Sequence, residues 1–254
     1  MTAGAAGGAL LNAAPASAQH QHPAEHSLLA DGAEGGEGGE GGAAGHAAQP
    51  ATSSEDQLAV LAQMQGHLLV AEELLSSGDA RGAEAHVGHP VDELYDSLEP
   101  AIAQGQLPPF RNSLEALRQQ VRIDPSATAT AQKLTDARQA IQAASLKLSP
   151  NLTSQPTLVL AVVRQLALSA ASEYEGAVDG TQIHETIDYQ NARGFLLQAD
   201  RLLSQTLAAS PASAKTLQPA HERITAMLQA IPSAKPPQRA LLSVSALESL
   251  AEGI

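Results

Sequence analysis

Residues 53–78 read SSEDQLAVLAQMQGHLLVAEELLSSG, and this stretch decides the fold. Ser53, Ser54 or Glu55 can open a helix, because such side chains accept from the free N–H groups of a first helical turn. Gly78 can close it just past Leu75, since glycine adopts the left-handed conformation of a helix stop at little cost. Wound at about 100° per residue, Val60, Met64, Leu68, Ala71, Leu74 and Leu75 fall on one stripe. His67 lies inside that stripe, one heptad from both Val60 and Leu74; Glu72 sits at its edge and Glu73 points away. An imidazole on an apolar face needs a hydrogen bond or a ligand, because an unpaired buried polar group costs about 1–3 kcal/mol.

The same punctuation recurs along the chain. A short helical turn is predicted over 80–85, then a helix from Pro90 to about Gln104, strained by Pro100. Asn112 can cap a helix through Val121. Asp124-Pro125 opens another to Leu148, stopped by Pro150. Ser154 with Pro156 opens a long helix to Val178, closed by Asp179-Gly180. Helices over 186–209 and 210–231 follow, and Ser243 caps a short last one. No segment alternates as a strand would, and most connections are short. The expectation is an all-α fold: an antiparallel up-down bundle of about seven helices with a disordered N-terminal tail. Composition agrees. Hydrophobic residues make up 43% of the 254, but aromatics only 2%, which suits closely spaced helices of Ala, Leu, Val and Ile better than a β-sandwich.

Three segments are expected. Residues 1–18 form a signal-peptide-like stretch ending in Ala16-Ser17-Ala18, an A-x-A pattern, although no Lys or Arg precedes it. Residues 19–54 form a His/Gly/Glu-rich linker whose Glu-Gly-Gly repeat favours disorder. His20, His22, His26 and His46 lie in it, and a mobile His-x-His pair can hold Cu²⁺, Ni²⁺ or Zn²⁺ weakly. Residues 55–254 form the helical domain. The expected location is the periplasm or another exported site. The longest apolar run, Leu158 to Leu168, is interrupted by Arg164 and Gln165, so no membrane span is expected. A formal charge of −13 argues against nucleic acid and is compatible with cations or basic proteins. With no cysteine, disulfides and thiolate sites are excluded.

Other polar residues fall where a bundle keeps its core. Glu173 sits on the stripe Leu158, Val159, Val162, Val163, Leu166, Ala170 and Ala177. Arg193 and Asp200 share the stripe of Tyr189, Leu196, Leu203 and Leu207. A buried carboxylate must be paired, protonated or metal-bound. In His86-Val87-Gly88-His89-Pro90-Val91-Asp92-Glu93, two histidines stand three apart at the mouth of a helix, with Glu93 four residues past the second. Gly88 lets the chain turn there. Imidazoles with a carboxylate suit iron, zinc or copper. The ligand set read from the sequence is His67, His86, His89, Glu93 and Glu173. Plainer readings stand beside it: His67 bonded to a carbonyl or water, Glu173 paired with Arg193, and Glu93 capping a helix beside two loop histidines.

The segments Gln65-Gly66-His67-Leu68-Leu69-Val70-Ala71-Glu72-Glu73, His86–Pro90, Glu173-Tyr174 and Tyr189–Phe195 resemble exported bacterial helical proteins. More loosely, the chain resembles the imelysin-like periplasmic proteins that accompany bacterial iron uptake. That resemblance covers roughly residues 55–205 and implies a helix bundle, a periplasmic location and iron or another transition metal. Imelysin-like proteins use Gly-x-His-x-x-Glu, whereas Gly66-His67 is followed here by Glu72, so only His67 carries over. The function expected is non-catalytic metal handling, with a metal ion and a membrane transporter or other periplasmic protein as partners. The alternative is a metal-free helical scaffold, since 74–85 looks like a tetratricopeptide-type hairpin, though no 34-residue period follows. Catalysis is not expected: there is no G-x-S-x-G, S-x-x-K or H-E-x-x-H.

Overall fold

A computed structural model describes residues 50–254. The signal-peptide-like segment and most of the His/Gly/Glu-rich linker, with its four histidines, lie outside the described residues. The described chain is all-α, with nine α-helices and one two-residue hairpin, Val178–Asp179 with Gln182–Ile183. No helix among the described residues is long and apolar enough to cross a membrane.

The first helix, α1 (Ser54–Ser77), opens on a reciprocal cap: the Asp56 amide donates to Ser53 Oγ at 3.0 Å, and the Ser53 amide donates to Asp56 Oδ2 at 3.3 Å. It closes at Gly78 with φ 84°. α1 is buried over far more than one stripe, because it stands between two cores. Leu61, Met64, Leu68 and Ala71 face one core, built with α2 (Ala80–His89), α3 (Tyr95–Ala103), α4 (Arg111–Ile123) and α5 (Thr128–Leu148). Leu58 and Ala62 join the other, built by α6 (Pro156–Ala177), α7 (Thr186–Ala209), α8 (Ala214–Ala230) and α9 (Val244–Glu252).

Three local expectations are corrected. The segment expected to break between a turn at 80–85 and a new helix at Pro90 is continuous: α2 runs to His89, and a π-helical turn over Pro90–Leu94 leads into α3. Pro90 has no N–H to give to the helical ladder, and a widened turn absorbs the missing bond without ending the helix. Gly88 therefore does not turn the chain. It lies inside α2, where a Cβ would come within 3.2 Å of the Arg118 guanidinium from α4. Finally, α4 starts at Arg111 without an Asn112 cap, because Tyr95 Oη accepts from both the Phe110 and Arg111 amides at 3.3 Å.

The contact that positions the functional region is the crossing of α1 and α7. Gly66 and Gly194 face each other backbone to backbone: a Cβ at Gly66 would lie 2.8 Å from Gly194 O, and one at Gly194 would lie 2.5 Å from Gly66 O. Only two hydrogens in place of side chains permit that approach. Gly194→Ala should destabilise the protein by about 1–3 kcal/mol through overpacking, although alanine favours a helix interior by about 1 kcal/mol over glycine. A lower urea midpoint with an unchanged m-value is the expected result; a midpoint equal to or above wild type would show that the crossing is not tight.

Candidate metal centre

Beside the glycine crossing, three imidazoles meet. His67 comes from the middle of α1; His86 and His89, three residues apart, come from the same side of the last turn of α2. One ring nitrogen from each lies within 4.8 Å of the other two. The ring centroids are 5.8 Å apart for His67 and His86, 5.0 Å for His67 and His89, and 5.5 Å for His86 and His89. Phe195 of α7 presents its ring edge-on to His67 at 5.1 Å and helps to close the site from water. His67 and His86 are buried, and His89 is partly exposed.

The Nδ1 atoms of all three histidines are buried and accept or donate no hydrogen bond. For His86 the reason is visible in the surrounding contacts. Gln190 of α7 donates from Nε2 to Ala234 O at 3.1 Å, which leaves its Oε1 to accept from His86 Nε2–H at 2.9 Å. With the proton held on Nε2, the Nδ1 lone pair of His86 is free. The Ala234 segment is itself tied down. The Ala234 amide donates to Glu73 Oε1 at 2.8 Å, and Arg193 joins Glu73 Oε2 and Ile231 O, each at 2.7 Å.

Burial, and after it the neighbouring His89 and His86, push the His67 imidazole well below its ordinary value. Burial likewise pushes His86 down to about 3, against the hydrogen bond to Gln190. Both rings are therefore neutral at physiological pH, which is the form that ligates a metal. A set of imidazole nitrogens without thiolate suits zinc, copper, iron or nickel. A closely ligated ion needs nitrogens about 3.4 Å apart, from metal–nitrogen distances near 2.1 Å. The three nitrogens here lie within 4.8 Å of one another, close enough to share one ion.

The two carboxylates read from the sequence stand just beyond the three rings. Glu93 Oε1 lies 3.7 Å from His89 Nε2, one helical turn on. Glu173 of α6 accepts from Asn191 Nδ2 at 3.1 Å. Asn191 lies beside the His86 ring, and a weak hydrogen bond between the two side chains works against burial there, though its geometry is too poor to satisfy Asn191 Oδ1 fully. Glu173 thus reaches the imidazoles through one amide.

The pairing of Glu173 with Arg193 is not found. Arg193 pairs with Glu73, the residue expected to point away; α1 is covered by α7 on that side, so Glu73 is drawn into an interhelical pair. Glu72 instead bonds Arg138 of α5 at 2.6 Å. The plainer reading of His86 and His89 as loop histidines is also corrected, since both lie in α2. Asp200 pairs with His221 at 2.9 Å. Sequence reasoning missed Asp188, Gln190 and Asn191, all buried on α7. The signal available was the polar run Gln190-Asn191 directly after Tyr189 on the helix stripe. A single-stripe wheel puts Tyr189 inside and the next two outside, whereas α7 is enclosed on several sides.

Burial, then the charges of Asp188 and Glu93, raise Glu173 to about 7 from an ordinary 4.5, with the Asn191 hydrogen bond working against them. A raised folded-state value means that stability from this group is full below pH 4.5 and is lost as pH rises through 7. The depressed histidines act in the opposite sense, costing stability as pH falls below 6.5, where only the unfolded chain takes up the protons. Glu173→Gln, in chelator-treated protein, should therefore be more stable than wild type at pH 8 by on the order of 2 kcal/mol, and the difference should vanish near pH 4. Urea unfolding at the two pH values checks this; an equal difference at both would contradict it.

Residues 149–254 match the family model of an iron permease-associated 4-helix bundle domain. The α-helices of that stretch are α6, α7, α8 and α9. The match covers less than half of the chain. It includes Glu173, Asp188, Gln190, Asn191 and Phe195 but none of the three clustered histidines, which belong to the helices before it. It relates the chain to an iron permease-associated helical bundle rather than to imelysin-like proteins specifically. No curated protein and no solved structure matches.

Proposed function

We propose that this chain is a non-catalytic, periplasmic metal-binding protein that handles iron on behalf of a membrane iron transporter. In this reading His67, His86 and His89 are the metal ligands, and Glu93 and Glu173 stand outside that set, Glu93 beside His89 and Glu173 on Asn191. The observation that carries it is the burial of three neighbouring imidazoles whose Nδ1 atoms have no partner. Each unsatisfied buried nitrogen costs about 1–3 kcal/mol, and a cation shared by all three removes the cost at once. Iron is favoured over copper and zinc by the family description of residues 149–254. Imidazole nitrogens with carboxylates close by suit Fe²⁺, which accepts both imidazole and carboxylate oxygen.

Copper or zinc would occupy the same nitrogens, so the test must compare metals. The full chain, purified without an affinity tag, should bind close to one equivalent of Fe²⁺ anaerobically, with Co²⁺ as a spectroscopic substitute. His67→Ala and His86→Ala should each lower the affinity at this position more than tenfold. Gln190→Leu, which frees the Nε2 proton of His86 from its acceptor, should lower it by roughly 10–100-fold. Metal content at background, or binding unchanged in both histidine variants, would rule the reading out.

A further inference from the structure

The carboxylates beside the three histidines differ in exposure: Asp188 is buried, Glu173 and Glu185 are partly exposed, and Glu93 is exposed. On the α7 side, Glu185, Asp188 and Asn191 follow one another at intervals of three, a spacing that keeps them on neighbouring turns of one helix side. Glu185 is partly exposed, Asp188 is 4% exposed, and Asn191 is 6% exposed. Across from them Glu93 is open to solvent, and it acts electrostatically on both Asp188 and Glu173. The charged neighbours acting on these two carboxylates are all acidic: Glu185 and Glu93 on Asp188, Asp188 and Glu93 on Glu173. Acidic crowding alone would mean little. Here, however, Asp188 Oδ2 is buried and has no hydrogen-bond partner. The series also ends at the histidines, through Asn191 to His86 and through Glu93 to His89.

We propose that Glu93, Glu185, Asp188 and Glu173 form the route by which a divalent cation passes from solvent to the three histidines, with Asn191 as its last oxygen donor. This rests on the metal-binding reading of His67, His86 and His89. The chemistry follows from exposure. A hydrated cation is drawn first by the exposed carboxylates, whose field concentrates it locally. It then exchanges water for the carboxylate oxygens of Asp188 and Glu173 and the amide oxygen of Asn191. The histidines, softer donors in a drier place, take it last. The unpaired oxygen of Asp188 is an acceptor such a passage requires.

The test uses the full chain at pH 8 and low salt, mixed rapidly with Co²⁺. The signal is the visible d–d absorption that is lost in His67→Ala, so that binding by other histidines is not counted. Asp188→Asn combined with Glu173→Gln should slow association about tenfold and flatten its dependence on salt. The shape of the final spectrum should stay the same. Glu93→Gln, at the exposed end, should slow association by a smaller factor and serves as a second variant free of buried-site effects. Unchanged association rates in both variants would overturn the route while leaving the histidine site standing. An altered final spectrum would overturn it too, by making the acids ligands. No d–d signal in wild-type protein would overturn the metal reading itself, and the route with it.

Discussion

The close approach of α1 and α7 at Gly66 and Gly194 is the constraint on which the rest depends. Helices bearing side chains at a crossing are held apart by them, commonly with axes 8–10 Å apart. Here two backbones touch, and each glycine lies beside residues of consequence: His67 next to Gly66, Phe195 next to Gly194. The Phe195 ring meets His67 edge-on as a direct result. The same approach brings Glu73 on α1 within reach of Arg193 on α7, so a steric allowance and an ion pair hold one interface.

From that interface a chain of contacts leads to the imidazoles. Glu73 and Arg193 hold the backbone around Ile231 and Ala234; Ala234 O orients Gln190; Gln190 holds the Nε2 proton of His86. Each contact leaves its neighbour one open position, and the last of these is a buried nitrogen lone pair. Burial then keeps His67 and His86 neutral, so three imidazoles can sit together without the repulsion that protonated rings would bring. The π-helical turn at Pro90 matters as well. It lets α2 continue through a residue that normally interrupts a helix, so that His86, His89 and Glu93 stay in one connected run.

The segment matching the iron permease-associated family contributes the enclosing residues, and the helices before it contribute the nitrogens. The candidate centre is therefore a property of the junction between the two cores that α1 joins. That division explains why neither half, read by itself, displays a familiar metal motif: the ligands and the groups that orient them come from opposite sides of α1.

The all-α class, the helix order and most boundaries were determined by the sequence alone, because caps, prolines and glycines act locally. Ser53 and Asp56 close on each other within one turn, Gly78 stops α1, and Ser243 opens α9. His67 on an apolar stripe, and His86 with His89 three apart, were likewise legible, since helical periodicity alone assigns a face. What only the tertiary structure decided is which faces meet. A wheel assumes one wet side, and α1 and α7 have little of it, so Glu73, Gln190, Asn191 and Asp188 were hidden from that reasoning. The partner of Arg193, the acceptor for His86 and the meeting of three imidazoles all join residues distant in sequence. Such contacts are set by how closely two backbones can approach, and no local periodicity carries that distance.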